Sequence, residues 1–112
     1  MARLLALGGD GIGPEILGEG LRVLDSVTGQ AEMSLEINYG VLHGASWDLH
    51  GTFCTEEVLD MARASDAVLV GAVGGPDWDG IRVPGGAEFQ DGLMHLRYHL
   101  QTYLGLRPAR SW

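Results

Sequence analysis

Lysine is missing altogether: the seven basic side chains in the 112 residues are all arginines, against fifteen Asp and Glu and a formal net charge of -8. A lysine general acid or base is therefore excluded from this chain. The shortage of positive charge argues against nucleic acid or a membrane surface as partner, because both are anionic and would be repelled. Cysteine is nearly absent too. Cys54 is alone, so no internal disulfide can form and a reducing cytoplasm fits. No apolar run approaches the roughly 18 residues needed to cross a bilayer. Met1-Ala2-Arg3 leads straight into an apolar stretch without a signal-peptide cleavage pattern, so the chain reads as cytoplasmic. Its length suits one small domain with a core and is too short for two.

Glycine, by contrast, is plentiful at 18 residues. Gly8, Gly9, Gly11 and Gly13 crowd the turn that follows the apolar run Leu4 to Leu7. Pro14 then suits the first turn of a helix, where its missing N–H would have had no partner. The pattern is strand, glycine turn, helix. Free N–H groups at such a helix start can receive a carboxylate or a phosphate, and a tight turn without any ligand is the alternative. Gly9 and Gly11 supply two positions of the dinucleotide fingerprint G-x-G-x-x-G, but its third glycine would fall on Pro14. The fingerprint fails.

Further along, Glu15 to Ser26 carries apolar residues near helical spacing, with Gly29 as the expected stop. Gly18 and Gly20 weaken that helix by about 1 kcal/mol each relative to alanine, and close packing on a sheet would account for them. Ser34 to Tyr39 alternates like a half-buried strand. Gly40 to Gly51 holds His43, Trp47, Asp48 and His50, whose spacing fits no familiar metal-ligand pattern. A surface loop or short helix with Trp47 partly buried is the preferred reading there. Thr55 can cap a helix running to about Ala64, with Glu56 and Glu57 in its first turn. Asp66 to Gly71 reads as a strand buried on both faces.

The glycine-rich stretch from Gly74 through Gly86 is expected to be irregular. Gly92 opens a helix with Leu93, Leu96, Leu100 and Tyr103 on one side, and Leu104 to Arg110 reads as the start of another strand. Strands alternating with helices predict an α/β layer structure with a central sheet. A strand starting this late has nothing downstream to cover it, so the chain is expected to be part of something larger or to need a partner.

Three motifs now fall in a familiar order. Gly9-Asp10-Gly11-Ile12-Gly13-Pro14-Glu15 is similar to the opening loop of the isocitrate and isopropylmalate dehydrogenases. Val70 to Gly80, with its Gly74-Gly75-Pro76-Asp77-Trp78-Asp79 core, resembles the isopropylmalate branch. Gly92-Leu93-Met94-His95-Leu96-Arg97, followed by Leu106-Arg107-Pro108, resembles that branch's substrate-binding helix and strand. The likeness covers essentially all of residues 1–112, as the N-terminal part of a longer enzyme.

That resemblance implies a two-domain α/β fold of the isopropylmalate dehydrogenase type, distinct from the Rossmann arrangement, working as a homodimer. It implies NAD-dependent oxidation of a small 2-hydroxy dicarboxylate, most simply 3-isopropylmalate in leucine biosynthesis, followed by loss of carbon dioxide. Magnesium or manganese would assist. Arg97 and Arg107 match the arginines that hold the substrate's carboxylates, a task suited to the always-charged guanidinium fork. Without the resemblance, both read as surface ion-pair residues. Leu93 matches the position that touches the substrate's apolar branch, and a core leucine is its other reading. Ile12 and Gln90 match positions near the cofactor. Arg110 reads as a solvated charge.

The departures are Gln90 where a glutamate is usual, Gly105 where an asparagine is usual, and Tyr98 where a basic residue is common. They keep relatives acting on tartrate, malate or homoisocitrate as alternatives. The family's catalytic tyrosine and lysine and its metal-binding aspartates would all lie beyond Trp112. Residues 1–112 alone are expected to be inactive, and a non-catalytic ligand-binding or subunit-pairing module is the rival reading.

Overall fold

A computed structural model describes all 112 residues, and its centre is the first apolar run of the sequence. Strand β1 (Ala2–Gly9) lies between β2 (Leu35–Gly40) and β3 (Ala67–Ala72) in a sheet of order β2-β1-β3, and both pairings are parallel. The register pairs Leu5 with Asn38 on one side and with Val68 on the other. Parallel neighbours need crossover connections, which here are helical. Helix α1 (Gly13–Gln30) packs on β1 and β3.

The opposite face is covered through α3 (Glu56–Arg63) and α5 (Gly92–His99). Between these elements lie the shorter α2 (Gly44–His50), the single turn α4 (Pro76–Asp79) and a 3-10 turn at Ala87–Phe89.

The pleat of β1 sorts its side chains. Leu5 and Leu7 join Leu42, Cys54, Val58, Leu59, Ala62 and Leu96 in one apolar cluster. Leu4 and Ala6, pointing the other way, are buried with Leu17 on the α1 side. Burying each leucine in this way contributes about 1.5–3 kcal/mol. Thr55 caps α3 by accepting the N–H of Val58 at 3.2 Å, as its sequence position suggests.

Several local expectations are corrected. Strand β3 is half-buried rather than buried on both faces, because it is an edge strand with a neighbour on one side only. Leu104 to Arg110 forms no strand and stays exposed. A strand needs a partner for its N–H and C=O groups, and nothing pairs with this segment, in which Pro108 also lacks a donor. Tyr103 lies beyond α5, 97% exposed, because the chain leaves the helix at Leu100 and Gln101 takes φ +56°.

Gly29 sits inside α1, which runs on to Gln30. Of the two glycines expected to pack on the sheet, Gly18 has open surroundings and a Cβ on Gly20 would meet Leu69 of β3 only at an ordinary 3.9 Å; the close helix–sheet approach is made by Gly13 and Gly71. A Cβ on Gly13 would run into the carbonyl oxygens of Gly8 and Ala72, and one on Gly71 into those of Gly13 and Gly8. The stretch after Gly74 also holds the helical turn α4, started by Pro76.

Candidate functional site

The glycine turn is organised by its own acid. Gly9 and Gly11, both at positive φ, carry the chain around so that the Asp10 side chain turns inward. There it is 6% exposed. Its Oδ1 accepts the N–H of Ala45 at 2.7 Å, and its Oδ2 accepts those of Gly44 and Gly74, both at 3.0 Å. Gly44 and Ala45 open α2, so the carboxylate of Asp10 fills that helix N-terminus and simultaneously ties down the loop after β3. The carboxylate acts on α2 and not on α1, whose own N-terminal boundary has no side-chain cap. Ile12, at the tip of the turn and N-terminal boundary of α1, is 61% exposed.

The second cluster stands on α5. Asp91 caps it, accepting the N–H groups of Leu93 at 2.7 Å and Met94 at 3.1 Å. Leu96 faces the core, and Leu93 and Leu100 pack against it from partly buried positions. Leu93 thus serves as a packing residue and still keeps a share of its surface. Arg97, Arg63, Tyr98, His99, Gln101 and Thr102 line an open pocket of about 640 Å³. Arg107 approaches from the exposed segment that follows. A Cβ built on Gly105 would lie 3.0 Å from Arg107 Nη1 and 3.4 Å from Arg97 Nη2.

Gly105 thus lies beside both guanidinium groups. Neither is in an ion pair; the salt bridges of the chain are Arg3–Glu36, Arg22–Glu19 and Arg63–Asp60. Two uncompensated guanidinium groups so close together repel each other, and an anion placed between them would relieve the repulsion.

Gln90 is committed inside its own loop. Its Oε1 accepts from Val83 N at 3.0 Å, and its Nε2 donates to Val83 O at 2.7 Å and Gly86 O at 3.3 Å. This two-way clasp requires an amide, because a carboxylate could not donate. Ile12 presents exposed apolar surface, whereas the Gln90 amide has its groups in use. His43, Asp48 and His50 do not converge. His43 is buried, Asp48 accepts from Trp78 Nε1 at 3.2 Å, and His50 is exposed at the end of α2. No group of three His, Cys, Asp or Glu side chains is arranged to hold a metal ion. The residues present do not make a divalent-metal site.

Two influential residues were out of reach of sequence reasoning. Asp10 was visible as part of a glycine motif, and a short acid in a turn is a common backbone acceptor, but its partners are distant in sequence. His43, which accepts the N–H of Gly92, stands out in the sequence only among the His and Asp residues of Gly40 to Gly51, with nothing there to point to α5. No helix of the chain is long and apolar enough to cross a membrane.

Comparison with known proteins agrees with this architecture. Residues 3–112 match the family described as isocitrate/isopropylmalate dehydrogenase. Over 107 residues, 96% of the chain, the sequence is 43% identical to the 3-isopropylmalate dehydrogenase of Pseudomonas fluorescens and 44% identical to that of Xanthomonas euvesicatoria. The chain spans 29% of the length of each. Among solved structures, a β-decarboxylating dehydrogenase from Thermococcus kodakarensis, in its apo form, superposes with a TM-score of 0.69 at 32% identity. That match covers 92% of this chain and 28% of the other.

Proposed function

The chain belongs to the isocitrate/isopropylmalate dehydrogenase family, and on that footing we propose that it is the N-terminal part of an NAD-dependent oxidative decarboxylase. The substrate is a 2-hydroxy dicarboxylic acid, with 3-isopropylmalate the first choice because the two curated relatives named above are 3-isopropylmalate dehydrogenases. What carries the reading is the convergence of Arg97 and Arg107 around Gly105, with no acid paired to either. A dicarboxylate supplies the missing negative charge. Leu93 lies one helical turn before Arg97 and would meet an alkyl branch, while Ile12 would pack against the nicotinamide.

In this reading the chain binds and orients. The two arginines fix the carboxylates so that the hydroxyl-bearing carbon faces the cofactor. The groups that remove protons and the divalent metal would come from the remaining length that the relatives possess, since this chain has neither a lysine nor a metal-binding cluster. The assembled enzyme is proposed to be a cytoplasmic homodimer.

The test is NADH formation by the full-length polypeptide that carries residues 1–112, supplied with Mn2+ and, in turn, 3-isopropylmalate, tartrate, malate and homoisocitrate. One of these acids should be strongly preferred. Arg97→Lys and Arg107→Lys should each raise its KM at least about tenfold, because a point charge replaces a two-pronged donor. The absence of turnover with all four acids would end this reading. Residues 1–112 alone should produce no NADH.

A further inference from the structure

His43 has φ 58° and ψ -120°, a combination outside the left-handed helical region and one that glycine takes far more readily than any residue with a side chain. Three contacts hold it there. Its N–H donates to Phe53 O at 2.7 Å, and its carbonyl accepts the N–H of Trp47 at 2.8 Å. Its ring lies nearly parallel to that of Phe53, with centroids 4.5 Å apart and planes at 8°.

This pose brings Nδ1 to α5, where it accepts the N–H of Gly92 at 3.0 Å. The next two N–H groups of α5 go to Asp91, in the same segment. His43 is thus the one side chain from elsewhere in the fold that holds the first turn of α5 by a hydrogen bond. Backbones also meet at this point. A Cβ on Gly92 would fall 2.7 Å from Phe53 O and 2.8 Å from His43 N. On its other side, His43 directly precedes Gly44 and Ala45, whose N–H groups are held by Asp10. One turn is therefore tied to both the glycine loop and the helix of Arg97.

Resting on the reading of Arg97 as a substrate arginine, we infer that His43 is a positioning residue for it. By accepting the Gly92 N–H from a conformation the surrounding contacts impose, it sets where α5 begins. It thereby sets the reach of Leu93 and Arg97 relative to the glycine turn. The strained backbone is retained because relaxing it would carry Nδ1 away from Gly92.

Two substitutions separate this role from general support. His43→Gly accepts the backbone conformation and removes the acceptor. His43→Asn keeps a side chain on the same backbone, as histidine does, and returns an oxygen close to the place of Nδ1. Both are made in the full-length polypeptide, with amide hydrogen exchange read across Gly92–Leu96 and across β1, and with KM measured for 3-isopropylmalate and for NAD. His43→Gly should speed exchange at the start of α5 and raise the 3-isopropylmalate KM about tenfold, the scale of one lost buried hydrogen bond. The NAD KM and the protection of β1 should hold, and His43→Asn should recover most of the loss.

Wild-type exchange and KM in His43→Gly would overturn the inference. So would a loss spread equally over β1 and both KM values without recovery in His43→Asn. If the unaltered protein oxidises no 2-hydroxy dicarboxylate, the functional reading falls by itself. Exchange at Gly92–Leu96 then decides whether His43 seats α5.

Discussion

Asp10 and Gly74, 64 residues apart in sequence, are joined by a hydrogen bond of 3.0 Å from the Gly74 N–H to Asp10 Oδ2. The same carboxylate holds Gly44 and Ala45, so a single buried acid fastens the turn after β1, the start of α2 and the loop after β3. Removing it would strand several backbone donors together. Asp10→Ala should cost at least about 3 kcal/mol, because each stranded N–H carries about 1–3 kcal/mol of unrelieved desolvation. Asp10→Asn should cost less, since one oxygen remains. Urea denaturation of the three proteins checks the order, and equal midpoints for Asp10→Ala and the parent would refute it.

Glycines in this chain divide into those that are needed and those that are not. Gly92→Ala would drive a Cβ into the backbones of Phe53 and His43, neither of which is free to move. Gly18→Ala meets nothing within 4 Å in the interior of α1. The first should lower stability by several kcal/mol, on the order of a strained core replacement. The second should raise it by about 0.5–1 kcal/mol. Thermal melts of both decide the matter, and the opposite signs are the point.

Cys54 is buried in the main apolar cluster, and burial, with Glu56 adding to it, pushes its thiol up from 9.0 to about 11. At pH 8 the native protein should therefore react with Ellman's reagent only as it unfolds, and promptly in urea. The thiol is harder to ionise folded than unfolded. Its contribution to stability is thus complete below pH 9.0 and is lost as pH rises through about 11. A denaturation midpoint that falls between pH 8 and pH 11, with a smaller fall in Cys54→Ala, would bear this out.

His95 is held below its ordinary 6.5, first by burial and then by the neighbouring His99, with Glu56 pulling the other way. Its ring lies 4.8 Å from that of His99 and 5.1 Å from that of Phe89. A depressed histidine favours the fold above pH 6.5, and that advantage is lost as pH falls through the lower folded value, because the unfolded chain takes up the proton first. A proton NMR titration should show His95 with a midpoint below 6.5. His99→Ala should move it only part of the way back, since burial is the larger cause. Full recovery in that variant would reverse the ranking.

Much of this molecule was legible along the chain. The Leu4 to Leu7 run, the glycine turn, Pro14 in the first turn of α1, the Thr55 cap and the apolar side of α5 are local signals, each set by residues within a turn or two of one another. Their order also gave the α/β layering and the family resemblance. Of the candidate site, Arg97 and Arg107 could be named from their motifs, but their approach around Gly105 could not.

Periodicity is thus what the chain carries locally: which stretches suit a helix or a strand, and which side of each is apolar. Tertiary structure alone decided the partners. It made β1 the central strand and left β3 at an edge. It gave Leu104 to Arg110 no strand to pair with, committed the Gln90 amide to its own loop, and brought His43 to Gly92 across 49 residues. The physical reason is that a hydrogen bond or a close backbone approach depends on where two distant segments are set by packing. Local propensity records only what each segment can do alone.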